Sequence, residues 1–193
     1  MTGTLGMGRR SREVALVAAA RQGDLVAWEQ VVRRYQEAAF RTAYLIVRDS
    51  EIAASATQSA FVRAYRALPQ LHPEHALLPW LFRIVAGEAH QLQRDASRPR
   101  ASSRPIEVPP GPHYPASPVP GMAQAVDLTP AERTTILEAF DRLGEEDRLT
   151  LASRYLFHQS RTDAAASLAI AVGALDEQLA RALRHLRARM VES

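Results

Sequence analysis

Two stretches hold most of the side chains able to bind charge or read a hydrogen-bond pattern. In "LLPWLFRIVAGEAHQLQRDASRPR", Arg83, His90, Gln91, Arg94 and Arg98 fall on the polar side of one helical repeat, and Arg100 and Arg104 continue the positive charge. Arginine forks match phosphate geometry, and a glutamine amide can reach a base edge. In "GALDEQLARALRHLR", the side away from a leucine stripe presents Ala174, Glu177, Gln178, Arg181, Arg184 and His185. That helix opens with Asp176 and Glu177, which repel phosphate. The "HPEH" pair, His72 and His75, lacks the further ligands a metal needs, so both are read as loop residues and no metal site is expected. No glycine-rich phosphate loop, nucleophile elbow or paired-carboxylate arrangement stands out. Neither catalysis nor a cofactor is expected.

The charge is unevenly spread. All 24 basic residues are Arg, and the formal net charge is +3. Residues 1–104 hold 15 Arg against 9 acids, net +6, whereas residues 105–193 hold 9 Arg against 12 acids, net −3. The first half favours a polyanion and the second does not. There is no Cys, which excludes disulfides and cysteine zinc sites and fits a reducing cytoplasm. No apolar run reaches the roughly 18 residues that span a bilayer, so membrane insertion is not expected. The opening "MTGTLGMGRRSRE" lacks a signal-peptide apolar stretch, and residues 1–10 read as a loose basic tail.

The elements that must position these residues are helices. Apolar residues make up 47% of the chain and aromatics 6%, so the core is mainly Ala, Leu and Val without period-two strand patterns. A first helix is expected from Ser11, its cap, to Arg21. Gly23 ends it and Asp24 caps a longer one with a buried stripe of Leu25, Trp28, Val31 or Val32, Tyr35, Ala39, Thr42 or Ala43, and Ile46. "IAASATQSAFVRAYRAL" and "WLFRIVAGEAHQLQR" are the third and fourth, completing a domain over 11–95. Between Arg98 and Gly121 lie 8 of the 12 prolines, so 96–127 is read as an extended linker. In polyproline form it reaches on the order of 100 Å.

A second domain is expected over 128–190. Thr129, Pro130 and Glu132 form a helix start, and Gly144 closes that helix. "EEDRLTLASRYLF" follows, then "SRTDAAASLAI" and the helix with Leu168, Val172, Leu175, Leu179, Leu183, Leu186 and Met190 as a stripe. These last two have helix-turn-helix proportions.

The segments "RQGDLVAWEQVVRRYQ", "SAFVRAYRALPQ", "LLPWLFRIVAGEA" and "LGEEDRLTLASRYLFHQSRTDAAASLAIAVGALDEQLARALRHLR" resemble, in order and spacing, the extracytoplasmic-function sigma factors of the sigma-70 family. The resemblance implies an all-α chain with a region 2 helical bundle and a region 4 helix-turn-helix. It implies a sigma factor that takes core RNA polymerase to promoter DNA in the cytoplasm, under control of an anti-sigma factor. Residues carried over for the −10 element are His72, His75, Arg83, His90, Gln91, Arg94 and Arg98; for the −35 element, Gln178, Arg181, Arg184 and His185. Those for polymerase are Glu51, Gln58, Phe61, Arg63 and Arg66, while Ala54, Ser55 and Ser59 stand where the family has acids. Gly87 and Gln91 stand where it has Asn and Asp, and Ala169 and Ala171 where it has a turn Gly and a Ser cap. The alternative is a sigma-like adaptor or decoy that binds an anti-sigma factor or polymerase without reading promoter DNA; the lost acids of region 2 and the gained acids of region 4 point to it.

Overall fold

The computed structural model describes residues 13–72, 76–97 and 129–191. The basic tail, the Ser11 cap, His75, Arg98, Arg100 and Arg104 lie outside them. So does the expected linker, apart from its first two residues. Every regular element among the described residues is helical, as expected. They are α1 (13–21), α2 (Leu25–Val47), α3 (Ser50–Ala67), α4 (Leu77–Ser97), α5 (Pro130–Asp141), α6 (Glu145–Leu151), α7 (Arg161–Leu168) and α8 (Val172–Val191).

Local chemistry explains the boundaries. Gly23, at φ +92°, turns the chain out of α1 through a conformation costly for any residue with a Cβ. Asp24 then accepts from the Val26 and Ala27 amides, and Asp49 from Glu51 and Ile52, satisfying donors that a helix start leaves orphaned. Thr129 and Glu132 make the reciprocal capping box, with Pro130 in the first turn. The Glu132 carboxyl is held below its ordinary pKa by hydrogen bonds from the Thr129 side chain and backbone. α4 starts earlier than expected, at Leu77, because Pro79 sits in the first turn where its missing N–H costs nothing. It also runs to Ser97, two residues into the expected linker. Gly144 does not close α5, which ends at Asp141; Gly144 is instead the residue before α6.

α2, α3 and α4 pack through alanine. Ala39, Ala43, Ala53, Ala56, Ala60, Ala64 and Ala89 are fully buried, and such small side chains let helix axes approach closely. Trp28 closes one end, its ring 6.2 Å from Phe61 and 5.4 Å from Tyr65. Leu25 does not join the stripe; it is 66% exposed at the first position of α2, and Ala27 takes the buried place.

The last four helices share their core with the first four. Leu45 of α2 packs with Phe140, Leu143, Leu151, Ala152 and Ala182. A π-helical turn, Ala152–Leu156, widens the chain after α6, and Phe157 beyond it meets Phe82 of α4 edge-on at 5.0 Å. Arg148 is buried here. Its Nε and Nη2 donate to the Leu45 carbonyl at 3.2 and 2.9 Å, and its Nη1 donates to Leu143. Burial, then the nearby Arg48, pull its guanidinium below the ordinary arginine pKa. Leu45 lies in the last turn of α2, where carbonyls lack intrahelical donors. Arg48, left-handed at φ 58°, adds an ion pair to Asp141 at 2.8 Å.

α7 and α8 form the helix-turn-helix. Ser160 caps α7 by accepting from the Asp163 amide. Ala169 ends it at φ 56°, where a Cβ crowds the backbone. Of the leucine stripe on α8, Leu175 is fully buried and Leu179, Leu183 and Leu186 are partly buried against the core. Val172 and Met190, at 41% and 36% exposed, fall at the helix ends beyond the packed helices.

Arg148 and Ala169 are the two positions where these geometries bear most directly on stability. Arg148→Met leaves the Leu45 and Leu143 carbonyls without their donor, and its urea midpoint is expected to fall by the equivalent of about 1–3 kcal/mol. An unchanged midpoint would show that the buried guanidinium carries nothing. Ala169→Gly relieves the left-handed strain and is expected to gain about 1 kcal/mol, read as a rise of roughly 2–4 °C in Tm at this chain length.

Candidate nucleic-acid interface

α4 carries the first cluster. Arg83 and Arg94 are both exposed. They are eleven positions apart, just over three turns at about 3.6 residues each, so they share one side of the helix roughly 16 Å apart. Gln91 is exposed beside Arg94 and is oriented at both ends of its amide. Its Nε2 donates to Asp95 at 3.0 Å and its Oε1 accepts from Arg94 at 2.8 Å. His90 lies on the same side, with Nε2 3.3 Å from Glu145 of α6. His72 is exposed just before the loop. Arg83, His90, Gln91 and Arg94 are therefore brought together, and the last helices cover one edge of their surface.

α3 and α4 frame the second cluster. Gln58, Ser59, Val62, Arg63, Arg66 and Glu88 line an open surface cleft. Arg63 bridges the helices through an ion pair to Glu88 at 2.7 Å. Glu51 is exposed at the start of α3. Phe61, matched to this contact by the resemblance, is only 7% exposed and packs against Trp28 as a core aromatic beneath the surface. Val62, exposed at 53%, is the apolar side chain the face presents, and neither helical period nor family resemblance singles it out.

α8 departs most from expectation. Gln178, Arg181 and His185 line the side of α8 that faces the acidic first turn of α6. Gln178 Nε2 donates to Glu146 at 2.8 Å, and its Oε1 accepts from Thr150 at 3.4 Å. Arg181 is 2.7 Å from Glu146 and 3.6 Å from Asp147. Its guanidinium is raised above its ordinary pKa, chiefly by the hydrogen bond to Glu146. His185 Nδ1 meets Asp147 at 2.6 Å. Of the four side chains assigned to the −35 contact, Arg184 is the one that points away, fully on the exposed side. Asp176 is not an open acid either, because Arg161 at the start of α7 forms an ion pair with it. No spacing rule within α8 reveals these partners; they come from α6 and α7.

Known proteins with similar sequences and folds point one way. A model of sigma-70 region 2 matches residues 31–99. The ECF RNA polymerase sigma factor SigM of Mycobacterium tuberculosis is 30% identical over 182 residues, covering 93% of this chain and 85% of that protein. The RNA polymerase sigma-E factor of Streptomyces coelicolor is 25% identical over 169 residues, covering 88% and 89%. Among solved structures, CnrH in complex with the cytosolic domain of CnrY has a similar fold, with a TM-score of 0.67 at 21% identity over 94% of this chain and 98% of that one. The sigma factor RpoE in complex with the anti-sigma factor NepR, from Bartonella quintana, aligns at a TM-score of 0.60 and 20% identity, covering 84% and 95%.

The two acids that hold α8 differ in environment. Asp147 has a side chain 10% exposed, with two partners. Asp176 is 49% exposed with one. Asp147→Ala is expected to cost about 1–3 kcal/mol in chemical denaturation, and Asp176→Ala less than about 1 kcal/mol. Equal losses would contradict this ranking.

Proposed function

The chain belongs to the ECF RNA polymerase sigma factors, and from that premise we propose how its surfaces divide the work of transcription initiation. It is a sigma factor, the subunit that directs core RNA polymerase to promoters. As a regulatory protein it needs no catalytic centre of its own, no cofactor and no metal, and it works in the cytoplasm with the polymerase. Residues 11–95 act as region 2, 96–127 as the tether and 128–190 as region 4.

The observation that carries the assignment is the shared exposed side of α4. Arg83 and Arg94 contact phosphate, while His90, Gln91 and His72 reach bases of the −10 element; His75 and Arg98, outside the described residues, are assigned to the same contact. The cleft between α3 and α4 takes the polymerase, through Glu51, Gln58, Arg63 and Arg66 at its rim and Val62 at its centre, with Phe61 supporting it. The −35 contact falls first on Arg184. Gln178, Arg181 and His185 take part only by exchanging Glu146 and Asp147 for DNA. An anti-sigma factor is the expected controlling partner.

One observation favours the adaptor reading for the second half alone: three of its four proposed DNA side chains already have acidic partners. Run-off transcription with purified core polymerase on the promoter of the protein's own operon separates the two. Initiation that depends on the added chain is the expected result. In a parallel binding assay with the same components, Arg83→Ala with Arg94→Ala should weaken promoter binding and reduce its salt slope by about 1 for each phosphate no longer neutralised. Failure to bind polymerase, with tight capture of a neighbouring anti-sigma protein, would establish the adaptor instead.

A further inference from the structure

α8 has three sides, and two are occupied. The inner side packs Leu175, Leu179, Ala182, Leu183 and Leu186 into the core. The second meets α6 through Gln178, Arg181 and His185. The third is a line of exposed residues, Gly173, Glu177, Ala180, Arg184 and Arg187, recurring at alternate steps of four and three. What α8 offers a groove without giving up these partners comes from this third line.

In a helix-turn-helix the N-terminal turns of the second helix meet the base edges. Over those turns the line holds only Gly173 and Glu177. Gly173 has no side chain, and the space where a Cβ would stand is open, so backbone can approach a ligand closely there. Neighbouring Asp176 is engaged by Arg161. Glu177 makes no hydrogen bond or ion pair with the described residues. Arg184 lies seven residues further on, about 10 Å along the axis, where it is placed for backbone contact.

An ionised carboxylate only accepts hydrogen bonds. In the major groove guanine presents N7 and O6 and thymine presents O4, all acceptors, so a carboxylate is repelled from both. Adenine offers its N6 amino group, but with the N7 lone pair beside it. Cytosine offers its N4 amino group with no adjoining acceptor. We propose that Glu177 is a specificity-determining residue of the −35 contact, selecting cytosine at one position by accepting a hydrogen bond from its N4 amino group. The proposal rests on the reading of α8 as the major-groove helix. It divides two adjacent acids by role: Asp176 ties α8 to α7, and Glu177 reads. Arg184 and Arg187, on the same line, offset the repulsion between Glu177 and the phosphate rows.

The test uses the full chain with core polymerase and a promoter set in which each −35 base is replaced by the other three. Initiation by the wild-type protein should fall roughly 5- to 150-fold when one particular cytosine becomes guanine or thymine. Glu177→Ala should flatten that position to within about twofold and leave the others unchanged. Glu177→Gln, whose amide both donates and accepts, should move the preference toward adenine. Asp176→Ala should leave the base profile as it is. Identical profiles for wild type and Glu177→Ala overturn the proposal. So does a Glu177→Ala gain that is uniform across all bases, which would make Glu177 a simple phosphate repellent. A wild-type profile indifferent to every −35 base but sensitive to −10 changes overturns it by another route, because the groove assignment of α8 then fails first.

Discussion

The fold turns on one guanidinium. Arg148 stands in the second half of the chain and donates twice to a carbonyl at the end of α2 in the first half. A helix C-terminus carries partial negative charge on carbonyls without donors, so a cation there is favoured both by hydrogen bonding and by the dipole. Burying an arginine without acceptors would be prohibitive. The structure solves both problems together, since the orphan carbonyls of Leu45 and Leu143 are what the buried guanidinium needs. Leu45 itself projects into the core built by α5, α6 and α8. Here backbone polarity and apolar packing together join the two sets of helices, beside the Phe82–Phe157 and His90–Glu145 contacts.

Around that joint, charge rather than shape decides what each surface can do. The first turn of α6 concentrates Glu145, Glu146 and Asp147, where the helix dipole stabilises acids. Those acids collect His90 from α4 and Gln178, Arg181 and His185 from α8. A single acidic turn thus occupies side chains from both proposed DNA-binding surfaces. Arg83, Gln91 and Arg94 stay clear of it on α4, and the outer line stays clear on α8. The division between paired and open polar groups is sharper than net charge suggests.

Much of this is legible in the residues themselves. Asp24, Gly23 and the Thr129–Glu132 box mark helix ends through bonds within four residues, and those assignments match the structure. The α4 surface is legible because Arg83, Gln91 and Arg94 obey one helical period. The α8 surface is not. Periodicity identifies a buried side correctly at Leu175, Leu179 and Leu183, but assigns every remaining polar residue to solvent. Asp147 lies 38 residues before His185, and nothing in local spacing announces that it claims that side chain. Phe61 is matched to a contact by family position, but its residue type already favours the core, and it is buried there. Arg148 gives no local signal at all, because a buried arginine is visible only once its acceptors are located.

The separation of 103 residues between Arg148 and Leu45 also bears on how the chain matures on the ribosome. At about 5–20 residues per second, the end of α2 is synthesised roughly 5–20 s before the side chain that completes it. During that interval the Leu45 carbonyl is left to water and its side chain to whatever apolar surface is near. The first helices must therefore begin to pack on their own core, the alanine seams with Val31, Phe61, Leu81 and Val85, as a nascent chain, before that lasting partner is synthesised.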